Sequence, residues 1–134
     1  MKMDASNLAL QFFEVRLKND PEQLDQLFSL GGQIQFLGES KEGSFARSCD
    51  GDPERLNLIK ETVQDWRFLE VEVLDSLADE GKAVTRQRVR AMHEPSGQTI
   101  TTEVTDWFRF DQDGKIVEML EFLDTALLDQ FPRG

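Results

Sequence analysis

Asp106 and Glu121 are the residues of this chain best placed to do chemistry. Around Asp106, the even positions Ile100, Thr102, Val104, Phe108 and Phe110 are apolar or nearly so, while the odd positions include Thr101, Glu103, Trp107 and Arg109. Such alternation marks a strand with one face in a core, and Asp106 lies on that face. A turn at 111–114 follows, then a strand over 115–124 in which Val117, Met119 and Glu121 share a face. An unpaired carboxylate among apolar walls has a raised pKa, and two such groups raise each other, which suits acid–base work near neutral pH. Two other readings stay open. Asp106 is also explained as a buried carboxyl satisfied by helix ends or Gln87, and Ile116, Leu120 and Phe122 form a competing apolar face that would turn Glu121 outward.

Pairing through the 111–114 turn is expected to put Asp106 opposite Met119, with Glu121 a diagonal neighbour about 7–8 Å away. The strand over 82–93 brings Gln87 across from Asp106 on the other side and carries His93 toward its end. Thr85, Gln87, Val89, Ala91 and His93 share one face of that strand; Arg86, Arg88 and Arg90 share the other. Three buried arginines would need several buried partners, so this basic stripe is read as a solvated face. Pairing through a turn at 94–97 predicts Arg90 opposite Glu103 and Arg86 opposite Trp107.

The elements that must position these residues are read from periodicity and punctuation. Residues 6–18 read as a helix, capped by Asp4 or Ser6, with Leu10, Phe13 and Leu17 on an apolar stripe widened by Ala9 and Phe12. Asp20-Pro21 starts a second helix carrying Leu24, Leu27 and Phe28 and stopping before Gly31-Gly32. A short strand over 33–37 and a Gly- and Ser-rich loop over 38–51 follow. Asp52-Pro53 opens a third helix through about Thr62, with Leu56 and Ile59 apolar. Then come a strand around Leu69, Val71 and Val73, a turn at 79–81, the strands already described, and a short closing helix at 126–130. Trp66, Phe12, Phe13 and Phe36 read as core or pocket wall. Helices followed by an antiparallel meander imply one α+β domain over 1–134, the sheet curling around the helices and leaving a cavity at one end.

Composition excludes several functions. At 134 residues the chain suits one domain with a real core. Its net charge of −11 repels phosphate backbones and anionic membranes, so neither nucleic acid nor a membrane is expected as partner. One cysteine, Cys49, makes neither an internal disulfide nor a multi-cysteine zinc site, and reads as an ordinary loop thiol. One histidine, His93, without a nearby partner is read as a turn or rim residue; no metal and no cofactor is expected. Neither a Gly-x-Ser-x-Gly elbow nor a phosphate loop occurs. With no signal-peptide pattern and no stretch of membrane-spanning length, a soluble cytoplasmic protein is expected.

The run Asp106-Trp107-Phe108-Arg109-Phe110, then Asp113-Gly114-Lys115-Ile116 and Glu121-Phe122-Leu123-Asp124, in this order after three helices, resembles the nuclear transport factor 2-like superfamily. Within it, the SnoaL-like and ketosteroid isomerase-like proteins are the nearest in pattern. The resemblance covers nearly the whole chain. It implies an α+β roll, with three N-terminal helices in the concave face of a curved, mostly antiparallel sheet. It also implies a deep pocket and homodimers through the outer sheet face. In the isomerase pattern, Asp106 matches a protonated aspartate of the oxyanion hole, but the tyrosine position falls at Phe13 and the base position near Phe36. In the limonene epoxide hydrolase pattern, Glu121 matches one acid, the arginine position falls at Gln87 and the other acid at Val89. SnoaL-like cyclases use a pocket carboxylate as base, a role open to Asp106 or Glu121. The expected site therefore has Asp106 and Glu121 as acid and base, lined by Phe13, Phe36, Gln87, Val89, His93, Val104 and Met119. Its expected occupant is a small hydrophobic carbonyl compound or epoxide, either turned over or simply held.

Overall fold

The structure, a computed structural model, describes residues 4–38 and 51–131. Residues 39–50 of the expected loop, with Cys49, lie outside them. Helix α1 (Ala5–Arg16) is capped by Asp4, whose carboxylate accepts from the backbone N–H groups of Ser6 and Asn7. Its buried stripe is Ala5, Ala9, Phe12, Phe13 and Arg16, with Val15 beside it. The expected stripe is thus displaced around the helix: Leu10 is 41% exposed and Leu17 37%. Small alanines let the helix approach the sheet closely, which large leucines at the same contact would prevent.

Helix α2 (Pro21–Asp25) starts from the Asp20 cap as expected, but it is shorter. Phe28 already belongs to strand β1 (Phe28–Leu37), which runs through Gly31-Gly32 instead of starting after it. The glycines form an irregularity in the pairing of β1 with the last strand. A Cβ on Gly32 would stand 2.5 Å from the carbonyl oxygen of Ile116, so the strand can bend there only without a side chain. Helix α3 (Asp52–Asp65) follows; its cap is Gly51, one residue before the expected Asp52.

Strands β2 (Trp66–Asp79), β3 (Lys82–His93), β4 (Gln98–Phe110) and β5 (Ile116–Phe122) form the meander, and α4 (Thr125–Leu128) closes the described chain. The sheet order is β1-β5-β4-β3-β2, antiparallel throughout except for β1 beside β5. Helices α1 and α3 lie on the face carrying Phe108, Met119 and Ala83, giving the α+β roll with helices in the concave side of a curved sheet. No helix among the described residues is long and apolar enough to cross a membrane.

The faces of the strands are as the alternation requires, but both expected registers are displaced by two residues. Arg88, not Arg90, faces Glu103, and Val84, not Arg86, faces Trp107. Asp106 faces Glu121 directly, while Met119 faces Phe108. A register irregularity between Arg109 and Phe110 supplies one residue of the second displacement, and the turn, which pairs Phe110 with Ile116 instead of Lys115, supplies the other. It also buries Ile116 on the inner face and leaves Val117 only half-buried. A shift of two residues returns every side chain to its own face, so alternation cannot detect it. The outward arginines pair with β2 instead: Arg88 with Glu72 at 3.5 Å and Arg90 with Glu70 at 3.4 Å.

Candidate active site

The inner face divides into two apolar clusters. One contains Phe12, Phe13, Phe36, Ala83, Phe108 and Met119; the other contains Trp66, Val89, Ala91, Val104 and Leu128. Along β3 the change from one to the other happens across Thr85 and Gln87, and along β4 across Asp106. These side chains, with Glu121 of β5 and Arg16 of α1, form a polar belt across the interior. All five are buried, Asp106 completely.

The geometry of the belt is specific. Gln87 Nε2 donates to Asp106 Oδ2 at 2.6 Å. Asp106 Oδ1, Gln87 Oε1 and Thr85 Oγ1 meet no hydrogen-bond partner among the described residues. An ionised Asp106 would therefore leave a buried oxygen without a donor, a penalty of roughly 1–3 kcal/mol or more for a charged group. A proton removes the conflict, because the neutral carboxyl donates to Glu121 directly opposite. Burial raises the Asp106 carboxyl well above its ordinary value; the Glu121 charge and the hydrogen bond to Glu121 add to this, and only Gln87 opposes it. Burial also raises Glu121, but the Asp106 hydrogen bond and the Arg16 charge pull it back. Both carboxyls are thus raised, Asp106 the more strongly, and the facing pair holds a proton between them.

Arg16 is the residue that sequence reasoning missed. It is 4% exposed, and burial lowers its guanidinium to about 10 while the Glu121 charge opposes the shift. Its Nη1 donates to Asn19 Oδ1 at 3.0 Å and its Nη2 to the Trp66 carbonyl at 2.7 Å. The Phe68 ring lies 3.8 Å below its central carbon. The available signal was spacing: Arg16 follows Phe12 and Phe13 by four and three residues, so a stripe through those rings carries it inward. Thr85 was legible on the inner face but carried no assigned role.

Arg16 and Glu121 share a hollow with Phe12, Leu24, Ile34, Phe36, Ile59, Thr62, Val63, Phe68 and Met119. Its volume is about 20 Å³, the room that one water needs. Of the expected lining residues, Phe36 and Met119 border it. Gln87 stands behind it on Asp106, and Phe13 packs edge-on against Phe12 and Phe108. Val89 and Val104 belong to the second apolar cluster. His93 is 1% exposed and not at a rim: it packs between Trp66 and Phe131, with its Nδ1 2.8 Å from Ser96 Oγ. No cluster of three or more potential metal-ligating side chains occurs among the described residues.

Comparison with solved structures finds the same architecture at low identity. A candidate isomerase from Rhodopseudomonas palustris superposes with a TM-score of 0.77 at 15% identity, covering 97% of this chain and 96% of that one. A candidate SnoaL-like polyketide cyclase from a Jannaschia species gives 0.73 at 16%, over 96% and 93%. An LEH-like epoxide hydrolase from M. tuberculosis gives 0.70 at 17%, over 94% and 86%. No curated protein sequence matches the chain. The family model of the SnoaL-like domain matches residues 9–119, a span that holds α1 from Ala9 to Arg16, the strands bearing Gln87 and Asp106, and β5 up to Met119. The chain belongs to the SnoaL-like domain family.

Proposed function

We propose that the protein is a cofactor-free acid–base catalyst acting on a small, largely apolar carbonyl or epoxide compound. The observation that carries this reading is the pairing of Asp106 with Glu121 inside a desolvated belt, one holding the proton and the other open to the hollow. Desolvated carboxyls cost stability, and a site is a physical reason to keep them. Glu121 is the base, and the Arg16 charge offsets part of the upward shift that burial imposes on it. Asp106 supplies the neighbouring proton and is oriented by Gln87. The related folds named as an isomerase, a cyclase and an epoxide hydrolase support acid–base chemistry on small molecules by analogy.

The small hollow favours a second reading. Small-molecule pockets usually hold about 300–1,000 Å³, whereas this one holds about 20 Å³ between the protein's own aromatic rings. A scaffold with a self-filled interior accounts for that. The two readings separate in thermal-shift and turnover assays with small ketones and epoxides on wild type, Glu121→Gln and Asp106→Asn. Catalysis predicts ligands that raise the melting temperature of all three, with turnover falling about 10²–10⁴-fold in Glu121→Gln. No stabilising ligand, with melting points unchanged or higher in both variants, leaves the scaffold.

A further inference from the structure

We infer that the segment 125–131 is a displaceable roof over a ligand groove on the inner face of β3 and β4, and that the groove takes an apolar ring compound bearing a hydroxyl group. The inference goes beyond the acid–base reading: it concerns binding alone and holds whether or not the bound molecule is turned over. The hollow beside Arg16 and Glu121 has room for about one water, so a larger molecule needs another place in the interior.

The floor of the groove follows from register. Gln87, Val89, Ala91 and His93 succeed one another on the inner face of β3, while Val104 of β4 pairs with Gln87 and Ile100 with Ala91. At about 3.3 Å per residue, Gln87 and Ala91 stand about 13 Å apart, enough for a two-ring molecule. Val89, Ala91 and Val104 are short side chains, and the space above them is filled by the roof. Leu128 joins their cluster, and Phe131 packs against it. Phe131 closes the far end edge-on to Trp66, with ring centroids 5.2 Å apart.

The roof is lightly held. Among the described residues, the hydrogen bonds of 125–131 run within the segment or to its cap Asp124. Thr125 pins the root: a Cβ on Gly38 would stand 2.5 Å from Thr125 Cγ2, a close approach that glycine permits. Beyond the root, apolar contact seats the roof, and an apolar ring offers the floor the same contact in its place. Segments held in this way open at lower cost than the sheet beneath them.

The opposite end of the groove selects the polar group. Gln87 Oε1, Thr85 Oγ1 and Asp106 Oδ1 are buried and meet no hydrogen-bond partner among the described residues, while the Gln87 amide already donates to Asp106. The unmet atoms are all oxygens. A ligand O–H donates to one of them, whereas an ether oxygen only adds another acceptor.

The test pairs 2-naphthol with its methyl ether, 2-methoxynaphthalene, by titration calorimetry and amide hydrogen exchange. Wild type is expected to bind 2-naphthol about tenfold tighter than the ether, the usual effect of one buried hydrogen bond. Binding should speed exchange at the amides of Leu128 and Phe131, because the roof lifts. Phe131→Ala loosens the roof and should bind 2-naphthol about tenfold tighter than wild type, since roof and ligand compete for one groove. Gln87→Met should keep ring binding and lose the preference for the hydroxyl. A roof with only a structural role would cost Phe131→Ala melting temperature with no gain in affinity, and that result overturns the inference. So does slower exchange at Leu128 in wild type with 2-naphthol, a measurement that needs no variant, or binding by neither protein. Equal affinities of wild type for the two compounds overturn the hydroxyl class and leave the roof standing.

Discussion

Asp106 shows how a single missing donor sets a protonation state. One of its oxygens takes the Gln87 amide and the other finds no donor, while a second carboxyl stands opposite. The folded protein therefore keeps a proton that the unfolded chain loses near 3.8. Between that value and the raised folded one, the folded state binds more protons than the unfolded state, so stability falls as pH rises through the window. Asparagine has the same shape and no such equilibrium. Asp106→Asn is expected to match or exceed wild-type stability at pH 7, with the advantage shrinking as pH falls toward 4, as urea unfolding across pH will show. A deficit of equal size at every pH would mean that Asp106 is ionised in the fold. At this scale the sequence identified both acids and their inward direction. It did not pair them face to face, because that depended on a two-residue register choice.

At the scale of elements, the join between β1 and the helices rests on one buried cation. Arg55 of α3 bonds Asp25 through Nε at 2.7 Å and Asp52 through Nη1 at 2.8 Å. The same Nη1 reaches the carbonyls of Ser29 at 3.1 Å and Gly32 at 2.7 Å. Those carbonyls flank the Gly31-Gly32 irregularity, so Arg55 satisfies backbone groups that a bent strand leaves without ladder partners. Arg55→Met should cost about 3–5 kcal/mol in chemical denaturation, since it strands buried carbonyls and two carboxylates together. A loss within about 0.5 kcal/mol, the size of an exposed substitution, would refute this staple. Caps and turns were readable beforehand: Asp4, Asp20 and the 94–97 turn stand where their residue types placed them. The β1 start was not, since Leu27 and Phe28 suit a helix as well as a strand until Gly32 is seen against Ile116.

At the scale of the whole molecule, the outer sheet face carries an apolar strip. Val84 lies beside Trp107, Trp107 beside Leu120, and Phe122 is 46% exposed next in line on β5. With a net charge of −11 the molecule repels its own copies, so association needs a contact that buries such a strip. We propose a homodimer through this face. Wild type should sediment as a dimer, and Leu120→Lys with Phe122→Lys should sediment as a folded monomer with its circular dichroism unchanged. A monomeric wild type at high protein concentration would end the proposal.

The sequence by itself determined the elements of the meander, the inward faces of β3 and β4, the Asp4 and Asp20 caps and the class of fold. These follow from local rules: a period of two, a capping side chain, a turn residue. The tertiary structure alone decided that Asp106 meets Glu121 and that Arg16 closes the belt. Register survives any shift by two residues without changing a face, and it was settled by the turn that pairs Phe110 with Ile116 together with an irregularity at Arg109 and Phe110. The rotation of α1 was settled by how closely Ala5 and Ala9 let the helix approach the sheet, and that rotation carries Arg16 to the hollow.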